Sequence, residues 1–173
     1  MLVLSKDLIS KNILSLRANM PIASVKSCLI NPNNLKIEAF YCNDRFDKKP
    51  LLLLVQDIRD VIDNGYIVND HDVLTPPEDL IRLRELIELN FNLINKQVET
   101  VTKYKVGKVY DFATEIGSMF IQKLYVNQPI YKNLNGGGLV VDRTQIAEIT
   151  PRRIIIEDIN GLVSSTAKAG ITA

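Results

Sequence analysis

Hydrophobic positions along the chain recur mostly at every second residue. In Leu35–Tyr41, residues 35, 37, 39 and 41 make one apolar face while Lys36 and Glu38 point the other way, the alternation of a half-buried strand. Phe40 breaks that alternation, which predicts a strand covered on both faces. Runs of this kind are separated by turn-forming clusters at Asn31–Asn34, Asn43–Pro50, Asp63–Gly65 and Asn133–Gly138. Short strands at such regular spacing predict a mainly β protein whose sheets close or pack on themselves.

One stretch has the helical period instead. Thr75 is placed as an N-cap, Pro76 in the first turn, and Glu78 and Asp79 at the positive end of the dipole. Leu80, Leu83, Ile87 and Phe91 form one apolar stripe, and Leu86, Leu89 and Leu93 a second. Arg82, Glu85 and Glu88 form the polar strip. A helix over residues 76–91, apolar on two sides, is predicted to wedge between two modules and fix their orientation.

Those modules are two copies of one unit. LISKNILS (Leu8–Ser15) matches LINKQVET (Leu93–Thr100) at an offset of 85, and DIRDVIDNGYIVND (Asp57–Asp70) matches QIAEITPRRIIIED (Gln145–Asp158) at 88. Between them SVKSCLI and LKIEAFYC (Leu35–Cys42) match KVGKVYD and the strand ending KLYV, with Val25 set against Val106 (offset 81) and Tyr41 against Tyr125 (84). Three blocks in the same order, with length differences confined to turns, indicate a duplication. The predicted layout is a first module over 1–75, the helix over 76–91, a second module over 92–159 and a flexible tail over 160–173.

Each half resembles the PRC-barrel family, whose module carries a "VGKV-D" stretch and ends in a strand of the "IIVED" kind. The second half carries the resemblance best, in KVGKVYDF (Lys105–Phe112), IQKLYV (Ile121–Val126), LVVDRTQIAEI (Leu139–Ile149) and RIIIED (Arg153–Asp158). The first half has VKSC in place of VGKV, and LLLLVQDIRDVI (Leu51–Ile62) in place of LVVDRTQIAEI. The resemblance spans residues 3–159 and implies two compact β-barrels of about six strands each, joined by the helix. Relatives in that family include the cytoplasmic domain of the photosynthetic reaction-centre H subunit and a domain of the RimM-type ribosome-maturation factor. What the resemblance implies is protein–protein contact without catalysis.

Charge adds little. The 21 basic and 20 acidic side chains of the 173 residues nearly cancel, so no region has the positive excess that drives phosphate-backbone binding. Cys28 and Cys42 read as reduced, buried residues in a cytoplasmic protein, and no apolar run approaches the ~20 residues of a membrane span. The single histidine, His71, lies between Asp70 and Asp72 in a loop and reads as solvated, with no second histidine or CxxC for a metal site. No nucleophile motif accompanies it. Asn135–Gly138 (NGGG) is followed by a strand where a phosphate loop has a helix, so it reads as a hairpin tip. The paired carboxylates Asp70–Asp72 and Glu157–Asp158 close their repeats at equivalent positions and read as turn or strand-end groups in place of an acid–base pair.

Lys103, Lys105 and Lys108 interleave with Tyr104 and Tyr110. That pattern suits single-stranded nucleic acid, with Arg152 and Arg153 extending the stripe. The favoured reading is a strand with one wet face and one packed face. No catalytic residue, cofactor or metal is expected. The expected function is that of a non-catalytic adaptor that binds protein partners, a homodimer being one arrangement. A ribosome- or RNA-associated assembly factor is the alternative, and a membrane-periphery adaptor a third reading.

Overall fold

The computed structural model describes residues 1–128 and 138–158. The tail predicted over 160–173, and the Asn133–Gly138 tip apart from Gly138, lie outside the described residues. The chain is mainly β. Strands β1 (Leu2–Leu4), β2 (Asn12–Ser15), β3 (Met20–Asn31), β4 (Lys36–Asp44), β5 (Pro50–Leu54), β6 (Asp60–Ile62), β7 (Gly65–Val68) and β8 (Leu74–Thr75) come first. After them come β9 (Gln97–Thr100), β10 (Lys105–Glu115), β11 (Ile121–Asn127), β12 (Leu139–Asp142), β13 (Ile146–Ile149) and β14 (Arg153–Ile156). Helix α1 is a single turn, Ser5–Leu8, and α2 spans Arg84–Leu89.

The strands form two sheets with one path. The first runs β6-β7-β2-β3-β4-β5-β8 and the second β12-β11-β10-β9-β14-β13, with β1 added along β10. Read from the other end, the second path is β13-β14-β9-β10-β11-β12, matching β6-β7-β2-β3-β4-β5 strand for strand. Each contains one parallel pair, β2 with β7 and β9 with β14, among antiparallel neighbours. The match holds residue by residue. Asn12 faces Gly65 and Ser15 faces Val68; 85 and 88 residues on, Gln97 faces Arg153 and Thr100 faces Ile156. Tyr41 faces Leu52 as Tyr125 faces Val140. The 3-10 turns Val55–Asp57 and Arg143–Gln145 link corresponding strands at the same offset of 88.

One alignment needs correction. Ala23 faces Ile13, and Gly107 faces Val98, so the counterpart of Gly107 is Ala23 at an offset of 84. Val25 therefore corresponds to Val109 and not to Val106. The glycine missing from VKSC is replaced by Ala23, three residues upstream of Lys26. Both β2–β3 and β9–β10 contain a register shift, and such a bulge moves a motif relative to the ladder without changing its appearance.

The cores obey the same correspondence. Ile13, Val25, Phe40, Leu53 and Tyr66 are buried in the first repeat, and Val98, Val109, Leu124, Val141 and Ile154 in the second. The aromatic pair Phe40–Tyr66, with ring centroids 4.9 Å apart, is thus replaced by Leu124 and Ile154. Phe40 sits inside this core while Ala39, on the other face of β4, is also fully buried, as the break in alternation predicted.

By compactness the chain divides into residues 1–92 with 113–122, and residues 93–112 with those from 123 on. Residues 113–122 join the first unit through named contacts. Leu4 pairs with Ala113, Phe120 bridges to Lys36, and Ile121 donates its N–H to the Leu35 carbonyl at 2.8 Å. The turn is closed by Glu115. Hydrogen bonds from the Ser118 side chain and from the backbone N–H groups of Gly117 and Ser118 hold its carboxyl down at about 2.

The helical stretch differs from its prediction. Residues 77–79 and 81–83 are 3-10 turns, and the α-helix proper covers only Arg84–Leu89. Thr75 cannot cap a helix because it pairs with Leu52 in the sheet. Pro77 disfavours helical backbone at Pro76, Leu80 adopts a non-helical conformation between the turns, and Asn90 ends the helix in the left-handed region. Leu80, Leu83, Leu86 and Ile87 pack on Leu29, Ala39 and Leu52 of the first unit, as Tyr41 and Leu54 do. Leu89, from the second predicted stripe, stays 47% exposed. The continuous two-faced helix is not formed. Among the described residues the ladders of each sheet form an open path, without the strand pair that would close a barrel.

Candidate functional site

The repeat carries its own polar devices. Lys11 reaches the carbonyl of Asp63 at 2.6 Å, and Lys96, at the matching position, reaches that of Pro151 at 2.6 Å. Asp70 takes a hydrogen bond from the Ser15 hydroxyl and Asp158 one from the Thr102 hydroxyl. Asp70 also accepts the His71 N–H. Both carboxylates tie the end of a repeat to its first hairpin.

His71 is placed differently from its prediction. Its Nε2 lies 2.9 Å from Asp44 Oδ1, and its ring meets Phe46 edge-on at 5.6 Å. The Asp44 side chain is only 2% exposed. Burial pushes its carboxyl up. The hydrogen bond and charge of His71 and the N–H groups of Phe46 and Asp47 outweigh that and leave it below the usual range. The pair closes the β4–β5 turn at one rim of a cleft of about 690 Å³ lined by Lys26, Ser27, Tyr41, Lys48, Lys49 and Asn90 among others. No sequence signal pointed to Asp44, because the partners lie 27 residues apart. Among the described residues no cluster of three or more His, Cys, Asp or Glu has metal-binding geometry.

Burial pushes both cysteine thiols up to about 12. Since the thiolate is the reactive form, Cys28 and Cys42 are expected to resist a disulfide-exchange reagent at pH 8 in the native protein. Both should react within minutes in 6 M guanidinium (about the strength that unfolds most domains). A thiol titration before and after unfolding checks this.

The lysine stripe is only partly assembled. Lys103 sits in the β9–β10 turn with φ of 66°, while Lys105 and Lys108 are exposed on β10. Lys105 faces Glu99 across the ladder. Arg153, which would extend the stripe, donates to Glu99 Oε1 at 2.6 Å. The Glu99 side chain is 10% exposed, so Arg153 satisfies a carboxylate almost out of water. Arg153→Ala is expected to cost about 1–3 kcal/mol by leaving that carboxylate unpaired, measurable as a fall in the urea midpoint.

A second surface was not anticipated. Tyr110 on β10 is 46% exposed and Val140 on β12 is 45% exposed, and the half-buried Tyr125 on β11 lies between them. Tyr125 is the ladder partner of Val140, and its ring centroid is 6.1 Å from that of Tyr110. Three adjacent strands thus present an apolar, aromatic face rimmed by Lys108, Lys123 and Asp142. The duplication could have located it: Leu52, the counterpart of Val140, lies beneath the Leu80–Ile87 segment, while Tyr41, the counterpart of Tyr125, lines the cleft.

No protein-family model matches the chain, and no curated protein matches it. Among the described residues no helix is long and apolar enough to cross a membrane.

Proposed function

We propose that this chain is a tandem pair of PRC-barrel-like units acting as a non-catalytic adaptor for protein partners. The observation that carries the reading is the repeated six-strand path, alike in register, parallel pair and linking 3-10 turn. A unit copied with its scaffold intact but its outer surface changed is what a binding protein with two different faces requires. The exposed aromatic face of the second copy supports it further, since tyrosine is enriched where proteins meet. The reading as a ribosome- or RNA-associated factor rests on Lys103, Lys105 and Lys108. It is weakened by the pairing of Arg153 with Glu99.

The test is an affinity purification of the full chain from its host, read by mass spectrometry with and without RNase. The adaptor reading expects a small set of proteins retained equally in both arms. Ribosomal proteins retained only without RNase would replace it with the RNA-linked one.

A further inference from the structure

We propose that the cleft bounded by β3, β4 and the start of β5 binds a phosphorylated small molecule, with Lys26 and Lys48 holding the phosphate and Tyr41 and Leu51 the apolar body. This goes beyond the adaptor reading and does not depend on it.

The chemistry of the walls names the ligand. The cleft, about 690 Å³, is lined by Lys26, Lys48 and Lys49 against a single acid, Asp44. That acid is already engaged. Its Oδ1 accepts the Phe46 N–H and lies 2.9 Å from His71 Nε2, and its Oδ2 accepts the Asp47 N–H at 3.1 Å. Lys49 pairs with Asp47 at 3.2 Å. Among the described residues, Lys26 and Lys48 have no hydrogen-bond or ion-pair partner. The Ser27 and Tyr41 hydroxyls and the Asn90 side-chain amide, which also line the cleft, have none among them either. Burial raises the Tyr41 phenol above its usual range, so it stays a donor at neutral pH.

Two uncompensated ammonium groups match a phosphate monoester, which carries roughly −1.5 to −2 charges at pH 7. Lysine binds such a group as a point charge. Tyr41, Pro50 and Leu51 supply apolar lining for the rest of the molecule, and the volume lies within the ~300–1,000 Å³ of small-molecule sites. The second repeat lacks this combination. At the same offset of 84, Tyr110 stands where Lys26 does and Asp111 where Ser27 does. A β-carbon on Gly138, the counterpart of Pro50, would lie 3.4 Å from the Tyr110 ring, whose centroid is 6.1 Å from that of Tyr125. The Tyr110 ring thus takes the room that the first repeat leaves open beside a lysine. The shared scaffold requires neither the opening nor the charge.

Phenyl phosphate is the probe, titrated into the isotope-labelled full chain and followed by amide shifts. Saturable shifts are expected at Ser27, Tyr41, Asn43 and Leu51, and phenol at the same concentrations should not saturate. Lys26→Tyr, which carries over the residue of the second repeat, and Lys48→Ala should each weaken binding about tenfold, as loss of one charge-assisted contact does. Lys105→Ala on β10 should leave it unchanged. A spectrum otherwise like that of the unaltered chain shows that each variant is folded. Failure to saturate at millimolar probe, equal affinity for the Lys26→Tyr and Lys48→Ala chains, or shifts spread evenly over the exposed lysines overturns the proposal. So does tighter binding of oligouridylate, or of phosphatidylglycerol vesicles, that the same two substitutions abolish, because the phosphate would then belong to RNA or to a membrane.

Discussion

Replacing Gly107 by alanine is expected to destabilise the second repeat by about 3 kcal/mol, the upper range for a forced overpacking. A β-carbon built on Gly107 would run into the carbonyl oxygen of Asn127 and stand 2.8 Å from its carbonyl carbon. Both are backbone atoms, so no rotamer relieves the clash and β10 or β11 must move. The corresponding residue of the first repeat is Ala23, which is buried in its own ladder opposite Asp44. The strands there accommodate the carbon that the second repeat excludes. Ala23→Gly should thus cost no more than about 1 kcal/mol, the entropic penalty of glycine in a strand. Urea unfolding of the two variants, followed by tyrosine fluorescence and far-ultraviolet dichroism, measures both. Equal small effects would mean that the approach of β10 to Asn127 is not as close as described.

Leu52→Ala is expected to cost about 2–5 kcal/mol, because the removed atoms leave a cavity beneath a covering segment. Leu52 is fully buried between the sheet and Leu83, Leu86 and Ile87. At the same position in the second repeat, Val140→Ala should change stability by less than about 0.5 kcal/mol, as for an ordinary surface site. The contrast separates two influences that a single variant cannot. If ladder position governed the cost, the two substitutions would behave alike. If cover governs it, they differ several-fold in the shift of the urea midpoint.

Much of this was legible in the sequence because it is local. The turn clusters at Asn31–Asn34, Asn43–Pro50 and Asp63–Gly65 separate the strands they were expected to separate. The offsets of 85 and 88 are those of the ladders. The offset of 81 failed because the VGKV and VKSC strings look alike, whereas the pairing depends on bulges that leave no mark in the alternation. The helix failed for a related reason. Apolar periodicity over Leu80–Phe91 was real, but Thr75 was already committed to the sheet and Leu80 breaks the backbone between two 3-10 turns. The polar pairs His71–Asp44 and Arg153–Glu99 join residues 27 and 54 apart, and only the folded chain brings them together. The aromatic face was hidden for the same reason. Tyr110, Tyr125 and Val140 come from three strands, and nothing in any one of them announces the other two.

The duplication underlies the adaptor reading, and its most distinctive feature is the parallel pair in each copy. Nuclear Overhauser contacts in the isotope-labelled full chain test it directly. Inter-strand contacts are expected between Ile13 and Tyr66 and, 85 and 88 residues further on, between Val98 and Ile154. Both sets should show the staggered pattern of parallel strands. Parallel contacts in one copy with antiparallel or absent contacts in the other would contradict the account.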